Sequence, residues 1–124
     1  NANGSLACLG TGTDATGAMT QQSQPLVDNV TQMRVWYGVA VPNADGTPGT
    51  VAQRYLPADQ MGDMNNANWR QVVSARICLV IRSKEPVLDT SAPFIDCTGT
   101  STPTTDRRLY RAFTTTVVLN NRLF

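Results

Sequence analysis

The chain has 124 residues, of which 41% are hydrophobic and 15% are charged, and its formal net charge is +1. This length suits one folded domain with one core. The small net charge creates no field that would attract DNA, RNA or an anionic membrane, so no nucleic acid is expected as a partner. The chain has no histidine, the commonest general base and zinc ligand. We therefore expect neither enzymatic activity nor a small-molecule substrate, and we assign no catalytic, cofactor-binding or metal residue.

The N-terminal region, residues 1–24, predicts a short strand around Leu6–Leu9 followed by a mobile loop rich in Gly, Thr, Ser and Gln. Pro25 then begins the segment PLVDNV, for which we predict one helical turn, because proline is tolerated at the first helical position. The chain starts at Asn1 without an initiating methionine. We expect it to be a processed chain or part of a longer protein.

From residue 30 the hydrophobic pattern has a period of two, which is typical of a strand. The strand is expected to end before Pro42, with a turn over residues 43–49, a return strand over 51–55 and a short helix from Pro57 to Gly62. One face of the first strand carries Met33, Val35, Tyr37, Val39 and Val41, and the other carries Gln32, Arg34, Trp36 and Ala40.

Two longer alternating segments, residues 72–82 and 109–119, predict the core strands of a sheet. In each segment one face is apolar and is expected to be buried. With four or five strands and one or two helical turns, the fold class is α+β, mainly antiparallel β. The predicted buried faces are Val73, Ala75, Ile77, Leu79 and Ile81 in the first segment, and Leu109, Phe113, Val117 and Leu119 in the second.

The three cysteines are Cys8, Cys78 and Cys97. An odd number in a small, polar, loop-rich domain favours one disulfide and one cysteine that is free or paired outside this chain. Cys78 and Cys97 are the favoured pair, because they enclose a long polar connection that has little else to anchor it. The alternative is three reduced thiols in a cytosolic protein.

Three further patterns are candidates for chemistry. Asp63, Asn65 and Asn68 suggest a calcium loop, but the spacing does not match the EF-hand template, and a polar connector is the better interpretation. Cys8 or Cys97 as a nucleophile would need an activating base or a cationic neighbour, and without histidine only Lys84 or an arginine could serve. The aromatic residues Trp36, Tyr37, Trp69 and Tyr110 suit a carbohydrate or partner surface, or packing against the sheet.

Three blocks in order resemble the C-terminal region of the type IV pilus assembly protein PilW family of minor pilins. They are residues 25–39 (PLVDNVTQMRVWYGV), 69–83 (WRQVVSARICLVIRS) and 107–122 (RRLYRAFTTTVVLNNR). The positions of Cys78 and Cys97 also look like a pair seen in that family. The resemblance covers most of the chain from Pro25 onward, and it implies one headgroup domain over 1–124, with a PilW-like core over 25–124.

The resemblance implies a non-enzymatic minor pilin headgroup, similar to those of minor pseudopilins, whose N-terminal membrane-anchoring helix is missing here. Such subunits associate with other minor pilins to prime pilus assembly, with the major pilin as a further candidate partner. They lie at the periplasmic face of the inner membrane and at the pilus tip of a Gram-negative bacterium. A tip-displayed adhesin and a type II secretion pseudopilin remain the alternatives. The loops over 10–24 and 87–105 are the candidates for specificity.

Overall fold

Strands dominate the secondary structure of the computed structural model, which describes residues 4–119. Helical structure in this range is limited to a 3-10 turn at Ala58–Gln60 and a short helix, α1, at Ala67–Arg70. The protein is therefore β-rich, as the alternating sequence predicts. The strands are β1 (Ser5–Thr13), β2 (Met19–Asp28), β3 (Val30–Val39), β4 (Arg54–Pro57), β5 (Val72–Arg82), β6 (Phe94–Ile95), β7 (Ser101–Thr102) and β8 (Tyr110–Val118).

The strands form a two-stranded ribbon of β1 and β2, a four-stranded sheet in the order β4-β3-β5-β8, and a small hairpin of β6 and β7. The strands pair antiparallel in β1–β2, in β3–β4 and in β6–β7. The chain divides into two compact units. One contains the chain up to Gln32 with Val80–Ala112, and the other contains Met33–Leu79 with the chain from Phe113. The expectation of a single domain over 1–124 stays a prediction.

In the first unit, the β1–β2 ribbon occupies the region for which we predicted a mobile loop and a helical turn, and both predictions were wrong. Pro25 lies in β2 opposite Ala7, and the register shifts beside it, between Leu6 and Ala7. A proline inside a strand is tolerated next to such an irregularity, because the ladder there already lacks a regular bond. The strand pairing of β1 thus overrides the local helical preference of residues 25–30.

The first unit also contains the polar connection between β5 and β8. It is held by Arg108, whose guanidinium donates hydrogen bonds to the carbonyl oxygens of Ser83, at 2.9 Å, and of Lys84. Tyr110 stacks on Phe94 with ring centroids 4.7 Å apart. The sequence did not predict the β6–β7 hairpin, because two-residue strands carry no measurable periodicity.

In the second unit, β3 and β4 form an antiparallel hairpin in which Tyr37 lies opposite Leu56. The predicted return strand at 51–55 begins later, at Arg54, although the Gln53 amide donates to the Val39 carbonyl at 3.0 Å. The predicted helix after Pro57 is a single 3-10 turn. Gly38 on β3 is buried, and a Cβ there would lie 2.9 Å from the Ala52 side chain and 3.0 Å from the Tyr55 ring.

The buried residues correct the faces that the sequence predicted for β5 and β8. Val73 is buried, but Ala75, Ile77, Leu79 and Ile81 are half-buried, while Cys78 and Val80 on the opposite face are fully buried. Since β5 has a neighbouring strand on each side, its exposure is low on both faces. The apolar face predicted for β8 is exposed at Leu109, Phe113, Val117 and Leu119. The buried residues of the described range are Gly38, Val39, Ala40, Gly49, Met61, Val73, Ser74, Cys78 and Val80.

Candidate interaction surface

The β1–β2 ribbon presents the longest exposed stretch of sheet in the first unit. Leu9 is 65% exposed and Met19 is 73% exposed. By the strand register, Ala7 lies opposite Pro25 and Thr13 lies opposite Met19. Because side chains alternate along a strand and opposite residues share a face, Ala7, Leu9, Met19 and Pro25 lie on one side of the ribbon. We call these four residues the ribbon face.

The tip of the ribbon is closed by hydrogen bonds to Asp14. Its Oδ1 accepts from the Thr16 amide at 2.8 Å, from the Thr16 hydroxyl at 2.6 Å and from the Ala18 amide at 3.0 Å. Gly17 in this turn has φ 82°, a left-handed conformation that glycine adopts at little cost. The sequence did contain the signal for this turn, since Asp-x-Thr-Gly is typical of a tight connection between strands.

The same Asp-x-Thr arrangement recurs in two other turns. The Asp45 carboxylate accepts from the Thr47 amide at 2.9 Å and from its hydroxyl at 2.6 Å. The Asp96 carboxylate likewise accepts from the Thr98 amide at 2.8 Å and from its hydroxyl at 2.7 Å. The three aspartates therefore serve as hydrogen-bond acceptors that shape turns.

These hydrogen bonds set the ionisation of the three aspartates. The pKa of Asp14 is lowered chiefly by the Thr16 hydroxyl, that of Asp45 by the Thr47 hydroxyl and that of Asp96 by the Thr98 hydroxyl. Backbone amides of the same turns act in the same direction. A donor that binds the ionised carboxylate favours that form, so the charged state is the one that holds each turn.

The structure joins Cys78 and Cys97 in a disulfide, the pair that the sequence favours. Cys78 is 1% exposed on β5. Cys97 follows β6, and its amide donates to the Gln32 side-chain oxygen at 3.1 Å. Cys8 is a free, exposed cysteine on β1, opposite Gln24. The disulfide is a structural element that ties the polar connection to the central strand.

The residues considered for calcium are engaged in local structure. Asp63 accepts from the Asn65 amide at 3.0 Å, and the Asn66 side chain caps α1 by accepting from the Asn68 amide at 2.9 Å. The Asn68 side chain donates to the Met61 carbonyl and accepts from Arg54. Across residues 4–119, no group of three or more His, Cys, Asp and Glu side chains is placed to hold a metal ion. The oxygen atoms of this segment shape a turn and a helix cap.

The aromatic residues pack within the chain. Trp69 meets Tyr37 edge to face at 4.9 Å, and its indole N–H donates to the Gly62 carbonyl at 3.2 Å. Tyr110, besides stacking on Phe94, donates its hydroxyl to Asp106 at 2.9 Å. Trp36 is half-buried and lies opposite Pro57. Packing therefore accounts for the contacts of Trp69, Tyr37 and Tyr110.

Many of the exposed apolar side chains lie on strands. Besides the ribbon face, β8 exposes Phe113 at 58% and Val118 at 64%. Over residues 4–119, no helix has both the length and the apolar character needed to cross a membrane. The features that can contact another protein are thus the ribbon and the edge of β8, together with the connecting loops.

Comparison with known proteins gives one match. The family model described as Type IV Pilus-assembly protein W matches residues 1–121. Searches of curated proteins and of solved structures returned no match. The matched region includes the ribbon, the four-stranded sheet and the disulfide. A role in type IV pilus assembly and a location in the cell envelope or the pilus follow from this match. The chain belongs to the type IV pilus-assembly protein W family.

Proposed function

We propose that the chain is the headgroup of a minor pilin, a non-enzymatic subunit that binds other minor pilins and primes type IV pilus assembly. The family match supports the connection with the pilus. The ribbon supports the binding role and is the observation that carries it. In this proposal the protein acts at the periplasmic face of the inner membrane and in the pilus, with the major pilin as a further partner.

The physical argument concerns the ribbon's stability. β1 and β2 are 9 and 10 residues long, and every one of their residues is exposed or half-buried. An isolated two-stranded hairpin is marginally stable in water, because it buries too little apolar surface to offset the entropy of ordering its backbone. Docking the ribbon face onto another subunit would remove Leu9 and Met19 from water and so stabilise both the ribbon and the complex.

The experiment compares two double variants in the source bacterium. In the first, Leu9→Glu and Met19→Glu place charges on the ribbon face. In the matched control, Val51→Glu and Met64→Glu place the same charges at apolar residues that are 72% and 93% exposed and lie outside the ribbon and the predicted specificity loops. We expect the ribbon variant to lose co-purification of other minor pilins and to reduce surface pili at least tenfold. The control variant should retain both.

Three outcomes would contradict the proposal. Normal piliation after deletion of the gene would exclude a role in priming. Loss of protein secretion with intact pili would assign the chain to a type II secretion pseudopilus. Binding of a glycan or of DNA by the purified headgroup, without capture of any minor pilin, would favour the tip adhesin.

A further inference from the structure

The second exposed element, β8, has a free edge. It is the last strand in the order β4-β3-β5-β8, so among residues 4–119 no strand pairs with its outer side. A strand edge presents unpaired N–H and C=O groups that can bind another strand. Pairing at this free edge does not depend on the pilus role proposed above.

The hydrogen bonds to β5 determine which groups of β8 face outward. The Leu119 amide donates to the Val73 carbonyl at 2.9 Å, so the backbone groups of Leu119 point toward β5. In an antiparallel ladder this direction alternates from one residue to the next. The N–H and C=O groups of Thr114, Thr116 and Val118 therefore point to the free edge.

The edge lacks the features that normally prevent pairing. Natural edge strands are protected by proline, lysine, inward-pointing charges or bulges. β8 reads YRAFTTTVV, with no proline, glycine or lysine, and Arg111 is its one charged residue. Phe113, Val117 and Val118 are 58%, 45% and 64% exposed. This strand has nine residues, carries one charge and exposes several apolar side chains.

Residues 113–117 read FTTTV, so an antiparallel copy centred on Thr115 would place an aromatic residue opposite a β-branched one and threonine opposite threonine. We propose that two copies of the chain pair through their β8 edges, antiparallel, with the two-fold axis at Thr115. In this register Thr115 lies opposite Thr115 of the second copy, and Phe113 lies opposite Val117 of the second copy. Thr114 lies opposite Thr116 of the second copy.

Each of these pairs fits the geometry of an antiparallel ladder. Thr114 and Thr116 have their backbone groups on the free edge, so they exchange both hydrogen bonds with each other across the axis. Phe113 and Val117 form a non-hydrogen-bonded pair, in which the side chains approach more closely. Aromatic with β-branched residues and threonine with threonine are favourable cross-strand pairs.

Arg111, the one charged residue of β8, favours antiparallel over parallel pairing. An antiparallel pair places Arg111 of one copy near Leu119 of the other and keeps the two guanidinium groups at opposite ends. A parallel pair in register would place them side by side, and like charges directly opposite each other are destabilising. The occupant that fits this edge is thus a second copy in antiparallel orientation.

Sedimentation of the full 124-residue chain tests the proposal, with Cys8→Ser included so that no dimer arises from that thiol. We expect the mass to rise with concentration from 13.4 kDa toward twice that value. Thr115→Lys and Thr115→Glu should each be monomeric, because each puts like charges on the axis. An equimolar mixture of the two should dimerise, and Thr115→Val should behave as the parent. Circular dichroism checks that every variant is folded.

A disulfide test reports the register directly. In the Cys8→Ser background, the Thr115→Cys positions of two copies lie about 4.5 Å apart between Cα atoms, within the reach of a disulfide. The Thr114→Cys positions are diagonal, roughly 7–8 Å apart, and serve as the matched control. We expect covalent dimers from the first variant and at least tenfold fewer from the second. A monomeric parent, a dimer indifferent to Thr115→Lys, or equal cross-linking of the two cysteine variants would overturn the proposal.

Discussion

β5 and β8 are neighbours in one sheet and have similar sequence patterns, yet their exposure differs sharply. β5 lies between β3 and β8 and buries Val73, Cys78 and Val80. β8 lies at the edge, and eight of its nine residues, all except Tyr110, are exposed. The difference teaches that apolar alternation identifies a strand, whereas its position in the sheet decides how much of it is buried.

Removal of the disulfide should have the largest effect on stability. The disulfide involves Cys78 of β5 and no residue of β8. Replacing Cys78 and Cys97 together by alanine should lower the free energy of unfolding by about 3 kcal/mol, since the unfolded chain gains the entropy of an open loop. Chemical denaturation of the purified protein measures this. Cys8→Ala, on the exposed ribbon, is the control and should change stability by less than about 0.5 kcal/mol. Equal effects of the two changes would show that the disulfide contributes no stability.

A pair of valine truncations tests the contrast in burial itself. Val80 on β5 is 0% exposed, and Val118 on β8 is 64% exposed. Val80→Ala should cost about 2.5 kcal/mol, because it removes two buried methyl groups and leaves a cavity. Val118→Ala should cost less than about 0.5 kcal/mol. Urea denaturation of both variants gives the comparison, and a cost at Val118 as large as that at Val80 would contradict the exposed position of β8.

Glycine substitutions compare a tightly packed position on β3, the strand beside β5, with an open position on the ribbon. At Gly38 on β3, an added Cβ would meet the Ser74 hydroxyl, the Ala52 side chain and the Tyr55 ring. Gly38→Ala should therefore destabilise the protein by about 1–3 kcal/mol. Gly10 on the ribbon has nothing within 4 Å of such a Cβ, so Gly10→Ala should be neutral or slightly stabilising. Thermal unfolding of the two variants distinguishes them, and equal melting temperatures would refute tight packing at Gly38.

The smallest expected effect concerns the Asp96 turn, whose side-chain hydrogen bonds are local and exposed. The folded pKa of Asp96 is below its ordinary value of 3.8. Its contribution to stability is therefore present above pH 3.8 and is lost as the pH falls through the folded pKa. Thr98→Val removes the hydroxyl donor and should raise the pKa of Asp96 toward the ordinary value. Carbon NMR of the carboxylate during an acid titration measures the shift, and an unchanged pKa would exclude the Thr98 hydroxyl as its cause.

The sequence predicted several elements well. The range 72–82 is β5 as observed, and the strand from residue 30 is also present, while the predicted helix from Pro57 to Gly62 is shortened to the 3-10 turn at Ala58–Gln60. The two strands were predicted correctly because their signal, a period of two, is local. The pairing of Cys78 with Cys97 follows a similar logic, because it depends on the length and polarity of the connection that the two residues enclose.

The β1–β2 ribbon and the exposure of β8 could not be predicted in this way. Residues 25–30 have a local pattern compatible with a helical turn, but β1 supplies a partner that makes residues 19–28 a strand. Pairing is a non-local property, and it overrides weak local preference. The sequence named residues 10–24 as a loop for specificity, but only the structure identified these residues as part of a two-stranded ribbon with an exposed face.

The amino-acid sequence by itself determined that this protein is β-rich, which segments form its principal strands, and which family it belongs to. The strands follow from local periodicity, and the family follows from comparing the residues of this chain with those of the family. The tertiary structure decided which apolar faces are covered and which strand edges remain free. Burial depends on the neighbours that each strand acquires, and strands of similar pattern acquire different neighbours, as Val80 and Val118 do here.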